Sequence, residues 1–456
     1  MATTTEIERN AMTHESLMHT ESLCPVCLRV LEAFIVEEND HALMLKTCLE
    51  HGSFETVLWR SKTPMREWIR TKERATIKNP MTEIDKGCPF DCGLCSAHRQ
   101  CTCTALIEVT SRCNLNCRFC FADALDAKST DPTLEQVRFQ FESILKASGK
   151  CNIQLSGGEP TVRDDLAEII RIGVNLGFPF IQVNTNGIRM GKDEAYVKAL
   201  KEAGLSSIFL QFDGIDDAIY EKLRGRALFD IKAQAIENCR KYGIGVVLVP
   251  TIVPNVNVQS IGDIVRFGIS QTPTVRGVHF QPVSYFGRIP EAPKDDDRIT
   301  LPEVMEQICE QTDHMVDMQS MKPPGCENAL CSFHGNYLIE EGSLKPVTKR
   351  SCCSSESEKA EEGANKAKAF VARNWSYQKQ IHEEKLSDWD KILSAIANNA
   401  FSLSGMAFQD AWNVNLERIR DCCIHVSTVE GKLIPFCMYN ITNMDGKSLY
   451  RDAKRA

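Results

Sequence analysis

Twenty-one cysteines stand in this chain of 456 residues, and they are grouped rather than spread. Eight fall between Cys24 and Cys103, three between Cys113 and Cys120, and seven between Cys326 and Cys437. Only Cys151, Cys239 and Cys309 stand alone, and each reads as an ordinary small core residue. The stretch Met1 to Ser22 is polar and carries Glu6, Glu8 and Glu15, so it lacks the apolar segment of an export signal. That reading places the protein in the cytoplasm, where thiols are kept reduced. Metal binding then accounts for the grouping better than a disulfide framework does. The fold must therefore be built around several metal centres.

The rest of the composition is that of a globular protein, with 43% hydrophobic and 25% charged residues. A net charge of -8 argues against nucleic acid as a partner, because phosphate binding requires clustered cations. No apolar run approaches the roughly 20 residues of a transmembrane segment. The length predicts more than one domain: a Cys-rich segment 1–104, a regular segment 105–298 and a C-terminal segment 299–456.

In the middle segment, short apolar runs alternate with amphipathic charged ones, the signature of βα units on a parallel sheet. Strands are expected at Ala105–Val109, Cys151–Leu155, Phe180–Val183, Ser207–Phe212, Gly245–Val249 and Gly277–Gln281. Helices are expected at Leu134–Ala147, Asp164–Leu176, Asp193–Ala203, Asp230–Tyr242 and Ser260–Ser270. Six strands with intervening helices suggest an α/β fold, a partial (β/α)6 barrel of the TIM type rather than a flat doubly wound sheet, a choice that the pattern alone leaves open. Later, Ser354–Lys368 reads as a solvated helix or linker, and Ser387–Ala400 as an amphipathic helix with Trp389, Ile392, Leu393 and Ile396 on one face. That face suits core packing or contact with a greasy substrate or membrane surface.

Cys113-x-x-x-Cys117-x-x-Cys120 follows directly on the first expected strand. Three thiolates can hold three corners of a [4Fe–4S] cluster and leave the fourth iron open to chelate S-adenosylmethionine (SAM). An electron passed to the sulfonium breaks a C–S bond and gives a 5′-deoxyadenosyl radical, able to attack an unactivated C–H bond. Phe119 precedes the third cysteine, and the second strand runs into Ser156-Gly157-Gly158-Glu159-Pro160. Glycines there let backbone approach a ligand closely, at the strand end where barrels build their sites. Triplet and Gly-Gly-Glu-Pro together resemble radical SAM enzymes. The resemblance makes Phe119, Gly157, Gly158, Glu159 and Pro160 cofactor-binding, with Glu159 near the methionyl amino group. Asn184, Gln211 and Asp213 end the third and fourth strands, where the family meets the ribose and adenine of SAM.

The remaining cysteines suggest further centres. Cys24-Pro-Val-Cys27 with Cys48-x-x-His51 suits a mononuclear tetrahedral metal, zinc or rubredoxin-like iron, with His51 or another cysteine as fourth ligand. Cys88-x-x-x-Cys92-x-x-Cys95 repeats the triplet spacing, but it follows no apolar strand, and Cys103 stands nearby to close a four-ligand cluster, with Cys101 as an alternative. Cys326, Cys331, Cys423 and Cys437 are the set expected for a second auxiliary cluster, with at most one ligand from Cys352-Cys353 and from Cys422-Cys423.

The runs Gly87–Cys95, Leu106–Ala122, Cys422–Val426 and Pro435–Asn440 resemble the tetraether lipid synthase group, some members of which are named as dihydro-hydroxymethylpterin methyltransferases. The resemblance implies a partial (β/α)6 radical SAM barrel, a SAM-cleaving cluster, two auxiliary [4Fe–4S] clusters and one mononuclear iron or zinc. It further implies an electron donor such as ferredoxin or flavodoxin, and a lipid or other small-molecule substrate. The leading reading is C–C bond formation between lipid hydrocarbon chains. Radical methylation of a pterin or similar heterocycle, a peptide- or cofactor-modifying maturase, and a non-catalytic iron–sulfur carrier are the alternatives, and a carrier has no need of a SAM site.

Overall fold

The computed structural model describes residues 16–70, 72–124, 130–347, 359–377 and 396–451. The chain first forms a four-stranded antiparallel sheet, β1 (Ser16–Leu23), β2 (Val30–Glu38), β3 (His41–Cys48) and β4 (Gly52–Arg60), in sequential order. Ile35, Met44 and Trp59 turn inward from this sheet into the main core. The sheet is tied to the helix Leu301–Gln311 by Arg60 and Glu303, 3.2 Å apart, and by the Ser61 hydroxyl donating to Glu306 at 2.6 Å.

All six expected strands form, as β5 (Thr104–Thr110), β6 (Asn152–Gly157), β7 (Ile181–Thr185), β8 (Ser207–Gln211), β9 (Gly245–Val249) and, after the two-residue β10 (Thr251–Ile252), β11 (Val275–Pro282). They are parallel and lie in the order β11-β9-β8-β7-β6-β5. Every residue of β9 is buried, as parallel strands covered on both faces require. The five expected helices form within three residues of their predicted ends. The first, Leu134–Ser148, opens on a reciprocal cap: Gln136 N donates to the Thr133 hydroxyl at 3.2 Å, and Thr133 N donates to the Gln136 side chain at 2.9 Å.

The C-terminal segment does not stand apart from this sheet. After the antiparallel pair β12 (Ser332–Glu340) and β13 (Ser343–Pro346), β14 (Ala400–Met406) pairs parallel with β11. At the opposite edge β15 (Ile424–Ser427) pairs parallel with β5 and is followed by β16 (Leu433–Pro435). Six parallel strands from the middle of the chain are thus flanked by two more from its end. Ala400-Phe-Ser-Leu-Ser and Ile424-His-Val-Ser are short and half polar, so neither announces a strand of this sheet.

The segment Ser354–Lys368 is described only from Lys359, where the helix Ala360–Asn374 begins; Ala360 and Ala364 are buried, so this is a packed helix rather than a solvated one. The expected helix over Ser387–Ala400 lies largely outside the described residues. Cys151, Cys239 and Cys309 sit in the core, as expected. No helix among the described residues is long and apolar enough to cross a membrane.

Candidate active site

A cavity of about 710 Å3 occupies the interior of the barrel. At the end where β5 and β6 finish, it is lined by Cys113, Cys117, Cys120, Phe119, Gly157 and Glu159. Burial pushes the Cys113 thiol up to about 12, and the nearby Glu159, Cys117 and Cys120 push in the same direction. Such a thiol is neutral until iron binds and displaces its proton. Phe119 packs edge-on against Tyr285, with ring centres 5.9 Å apart.

The glycines serve the chain before they serve a ligand. Gly158 N donates to Thr110 O at 2.8 Å and Glu159 N to Arg112 O at 2.9 Å, so the element lies directly against the base of the cysteine loop. Gly157 has φ +122°, and a Cβ there would stand 2.1 Å from Thr110 O; one on Gly158 would stand 2.1 Å from Arg112 O. No side chain fits at either position. The Glu159 carboxylate is fully buried and accepts from Thr161 N (3.1 Å), Thr161 Oγ1 (2.6 Å), Thr185 Oγ1 (2.7 Å) and Asn186 N (2.6 Å). It fastens the end of β7 to the end of β6 while facing the cavity. Burial raises its pKa, against the pull of those four donors. Pro160 opens a short 3-10 turn behind the glutamate and is not part of the lining.

Asn184 and Gln211 line the cavity as expected. The Asn184 Oδ1 atom, near the end of β7, is buried without a hydrogen-bond partner, as is Asn152 Oδ1 at the start of β6. Buried polar atoms are nearly always paired, so both point to a ligand that completes them. Asp213 corrects the expectation. Its carboxylate is wholly buried and takes Arg224 twice, at 2.7 and 2.9 Å, Thr251 N at 3.1 Å and the Gln211 amide; it does not line the cavity. Its effect is to hold Arg224, which does line the cavity and acts electrostatically on the Cys117 thiol. Burial works against that guanidinium's charge, but Asp213 more than restores it. Lys232, also buried, donates to Asn186 O (2.8 Å), Gln211 O (2.6 Å) and Gln211 Oε1 (2.9 Å), fixing both strand ends. Sequence reasoning missed Arg224 and Lys232, since no spacing marks them.

At its opposite end the same cavity is lined by Cys103, Cys326 and Cys423. Their sulfur atoms all lie within 4.8 Å of one another. Cys103 directly precedes β5 and Cys423 directly precedes β15, and Cys103 N donates to Cys423 O at 2.8 Å. The Cys103 and Cys326 sulfurs touch, yet their Cα atoms are 7.7 Å apart, wider than the separation a disulfide spans without backbone movement. Three buried thiols meeting at one point are the arrangement of metal ligands. Cys103 is therefore not grouped with Cys88, Cys92 and Cys95, and Cys326 and Cys423 are not grouped with Cys331 and Cys437. The parallel pairing of β15 with β5 is the cause, for it sets Cys423 beside Cys103. Cys101 is packed against the trio.

Cys88, Cys92 and Cys95 form their own neighbourhood: the Cys88 thiol is lowered chiefly by a hydrogen bond with Cys92, and Cys92 N donates to the Tyr450 hydroxyl at 2.9 Å. Burial raises Cys437 to about 12, with Cys331 adding to the effect, and the same two thiols act on Cys422, so Cys331, Cys422 and Cys437 share one field. Cys352 and Cys353 lie outside the described residues. In the N-terminal sheet, Cys24, Cys27, Cys48 and His51 converge within 4.8 Å, which makes His51 the fourth member. His51 Nδ1 stands 3.3 Å from the Cys48 sulfur and 3.6 Å from that of Cys24. Burial opposes ionisation of Cys48, but the Glu50 backbone and His51 overcome it and bring the thiol down to about 6. A single tetrahedral ion suits four donors so close together.

The donor sets fit the groups that the sequence implies: a thiol triplet with Arg224 and the unpaired Asn184 amide at one end, and a second trio of thiols at the other. Residues 107–268 match the model of the radical SAM superfamily, and residues 16–60 match the HMPTM N-terminal zinc ribbon domain. The chain belongs to the radical SAM superfamily. It is an enzyme that depends on a [4Fe–4S] cluster, SAM and a reductant, and it carries further metal sites. Over 92% of its length it is 36% identical to a 7,8-dihydro-6-hydroxymethylpterin dimethyltransferase of Methanocaldococcus jannaschii, of which it covers 93%. Over 40% of its length it is 33% identical to the Fe-coproporphyrin III synthase of Methanosarcina barkeri, covering 44% of that protein. It is 28% identical, over 35% of its length, to a probable GTP 3′,8-cyclase of Methanothermobacter thermautotrophicus, covering 52% of it.

Proposed function

We propose that this enzyme removes hydrogen from hydrocarbon chains and joins the carbons so activated, with the barrel cavity as the channel that holds a chain. The observation that carries this reading is the reach of the cavity, from the radical triplet to Cys103, Cys326 and Cys423 at the opposite end of the strands. Strand β5 spans that distance with seven residues, about 20 Å at ~3.3 Å per residue. Between the ends stand Leu106, Phe209, Val249, Phe333, Phe370 and Trp375, a mostly apolar wall. A volume of about 710 Å3 lies toward the upper part of the ~300–1,000 Å3 range that encloses a drug-sized ligand, so SAM at one end leaves room for a slender second molecule.

A [4Fe–4S] cluster on Cys113, Cys117 and Cys120 supplies the electron that cleaves SAM. Arg224, held by Asp213, places a fixed positive charge beside Cys117. Glu159, Lys232 and the two glycines hold the strand ends that seat SAM, and Asn184 offers its open Oδ1. We assign one auxiliary cluster to Cys103, Cys326 and Cys423, and a second to Cys88, Cys92 and Cys95. The N-terminal set Cys24, Cys27, Cys48 and His51 takes one zinc or iron ion. A ferredoxin or flavodoxin is the natural electron donor.

A second reading, radical methylation of a pterin, is favoured by the name of the Methanocaldococcus relative. The amides Asn152, Gln154 and Asn184 inside the cavity suit the donor and acceptor edge of a heterocycle. One pair of assays separates the two. Reconstituted protein, reduced with SAM, should form 5′-deoxyadenosine, two for each C–C bond because two hydrogen atoms leave. Lipid extracts from cells with and without the protein should differ in coupled chains. Unchanged lipids, with S-adenosylhomocysteine formed on addition of a pterin, would replace the first reading with the second.

A further inference from the structure

A [4Fe–4S] cluster has four corners, so Cys103, Cys326 and Cys423 leave one without a protein donor. A carboxylate stands beside them. Glu327 directly follows Cys326 and lines the same cavity. Its Oε1 accepts from the Ser332 hydroxyl at 2.5 Å, while among the described residues its Oε2 meets only the Cys423 thiol, at 3.7 Å. The main chain on either side is held in place. Gln100 Nε2 donates to Cys326 O at 2.6 Å, and Asn328 Nδ2 donates to Asp421 Oδ2 at 3.1 Å, which ties this run to the one that carries Cys423. The half-buried Lys72 ammonium donates to Glu327 O, a contact with the backbone that takes neither carboxylate oxygen.

The acid at the radical end is placed differently. Glu159 accepts from Thr161 N, Thr161 Oγ1, Thr185 Oγ1 and Asn186 N, so both of its oxygens are occupied by the chain. Glu327 has one hydroxyl on Oε1, and Oε2 lies against a thiol whose proton iron would displace. Thiolate and carboxylate then stand side by side in a largely buried place, which is costly unless one cation serves both. We propose that Glu327 is the fourth protein ligand of the cluster held by Cys103, Cys326 and Cys423, binding the remaining iron through Oε2. This rests on the assignment of an auxiliary cluster to that trio and names the donor that closes it. It also accounts for the difference between the two ends: the carboxylate beside Cys113 is engaged elsewhere and leaves an iron open to SAM, whereas the one beside Cys423 is at hand. A carboxylate is a harder donor than a thiolate and suits iron–sulfur clusters less well, so the iron on Glu327 is the one most easily lost.

The test uses the full-length chain with Cys113, Cys117 and Cys120 all replaced by Ala, so that the radical cluster contributes neither iron nor signal. After anaerobic reconstitution, iron and sulfide are counted, EPR spectra are recorded on the oxidised and reduced protein, and midpoint potentials are titrated. Adding Glu327→Ala should lose about one iron per chain and add a three-iron signal on oxidation. Glu327→Gln, which keeps the size of the side chain, should add the same signal. Glu327→Cys should retain all the iron and lower the midpoint potential, because a thiolate donates more charge to iron. Iron, spectra and potentials unchanged in both Glu327→Ala and Glu327→Gln overturn the assignment and leave the trio's cluster standing. A three-iron signal from Cys101→Ala in place of the Glu327 variants overturns it too, and makes Cys101, packed against the trio, the fourth ligand. If Cys423→Ala leaves iron and spectra unaltered, the trio holds no cluster, and the auxiliary-cluster reading falls together with its ligand.

Discussion

At the radical end of the cavity, three cysteines lie within eight residues of one another and a single loop carries them. At the opposite end, Cys103, Cys326 and Cys423 come from three segments, the first two separated by 223 residues. The covalent chain itself limits how far apart the first three thiols can stand, whatever the sheet does. The second three meet only because β15 lies parallel beside β5 and the β12 segment folds across the same end. One site is written as a spacing and the other as a strand order.

The largest expected effect separates the two ends outright. Cys117→Ala should abolish 5′-deoxyadenosine formation while the trio of Cys103, Cys326 and Cys423 still takes up iron; iron content and nucleoside release are the measurements, and loss of both would deny that the ends are independent. Cys423→Ala should do the converse. It should lose product and part of the iron, yet leave uncoupled SAM cleavage within about threefold, since sites without shared partners act additively. An equal loss of cleavage in both variants would erase the division of roles.

A smaller effect probes the floor of the radical end. Gly157→Ala forces a Cβ to within 2.1 Å of Thr110 O at φ +122°, and should cost about 2–3 kcal/mol in urea unfolding of the apoprotein. A change below about 0.5 kcal/mol, the scale of a neutral surface substitution, would mean that the glycine is needed for the ligand and not for the backbone.

The smallest concerns the stretch between the ends. His279 lines the cavity, stacks on Phe209 with ring centres 5.5 Å apart, and bonds the Ser404 hydroxyl at 2.9 Å. Burial lowers its pKa to about 4. The unfolded chain takes a proton near pH 6.5 that the fold refuses, so stability is full above that pH and falls as pH drops toward 4. Between pH 7 and pH 5 the loss should be about 2 kcal/mol, and His279→Gln should remove that portion of the pH dependence. An unchanged slope would mean that the ring is protonated inside the cavity.

The same contrast explains what could be read in advance. Strands β5 to β11 and their helices were legible because a buried parallel strand is a run of apolar residues and a covering helix has its own period. The triplet and its glycines were legible because their chemistry is local. Asp213 was read as a ligand contact because it ends a strand, but a buried carboxylate must be paired, and its partner Arg224 lies eleven residues further on with nothing to mark it. Cys103 was read with Cys88 through nearness in sequence, whereas nearness in space came from β15, a four-residue strand with one hydrophobic pair.

The edge pairing of β15 with β5 also orders events in time. During synthesis Cys103 leaves the ribosome long before Cys423, and the barrel strands between them can form while their shared corner is still open. Non-local pairings of this kind close late in folding. The trio of Cys103, Cys326 and Cys423 is therefore incomplete on a nascent chain, while the loop of Cys113, Cys117 and Cys120 is already whole. A chain that stops short of Ile424 should complete one end only.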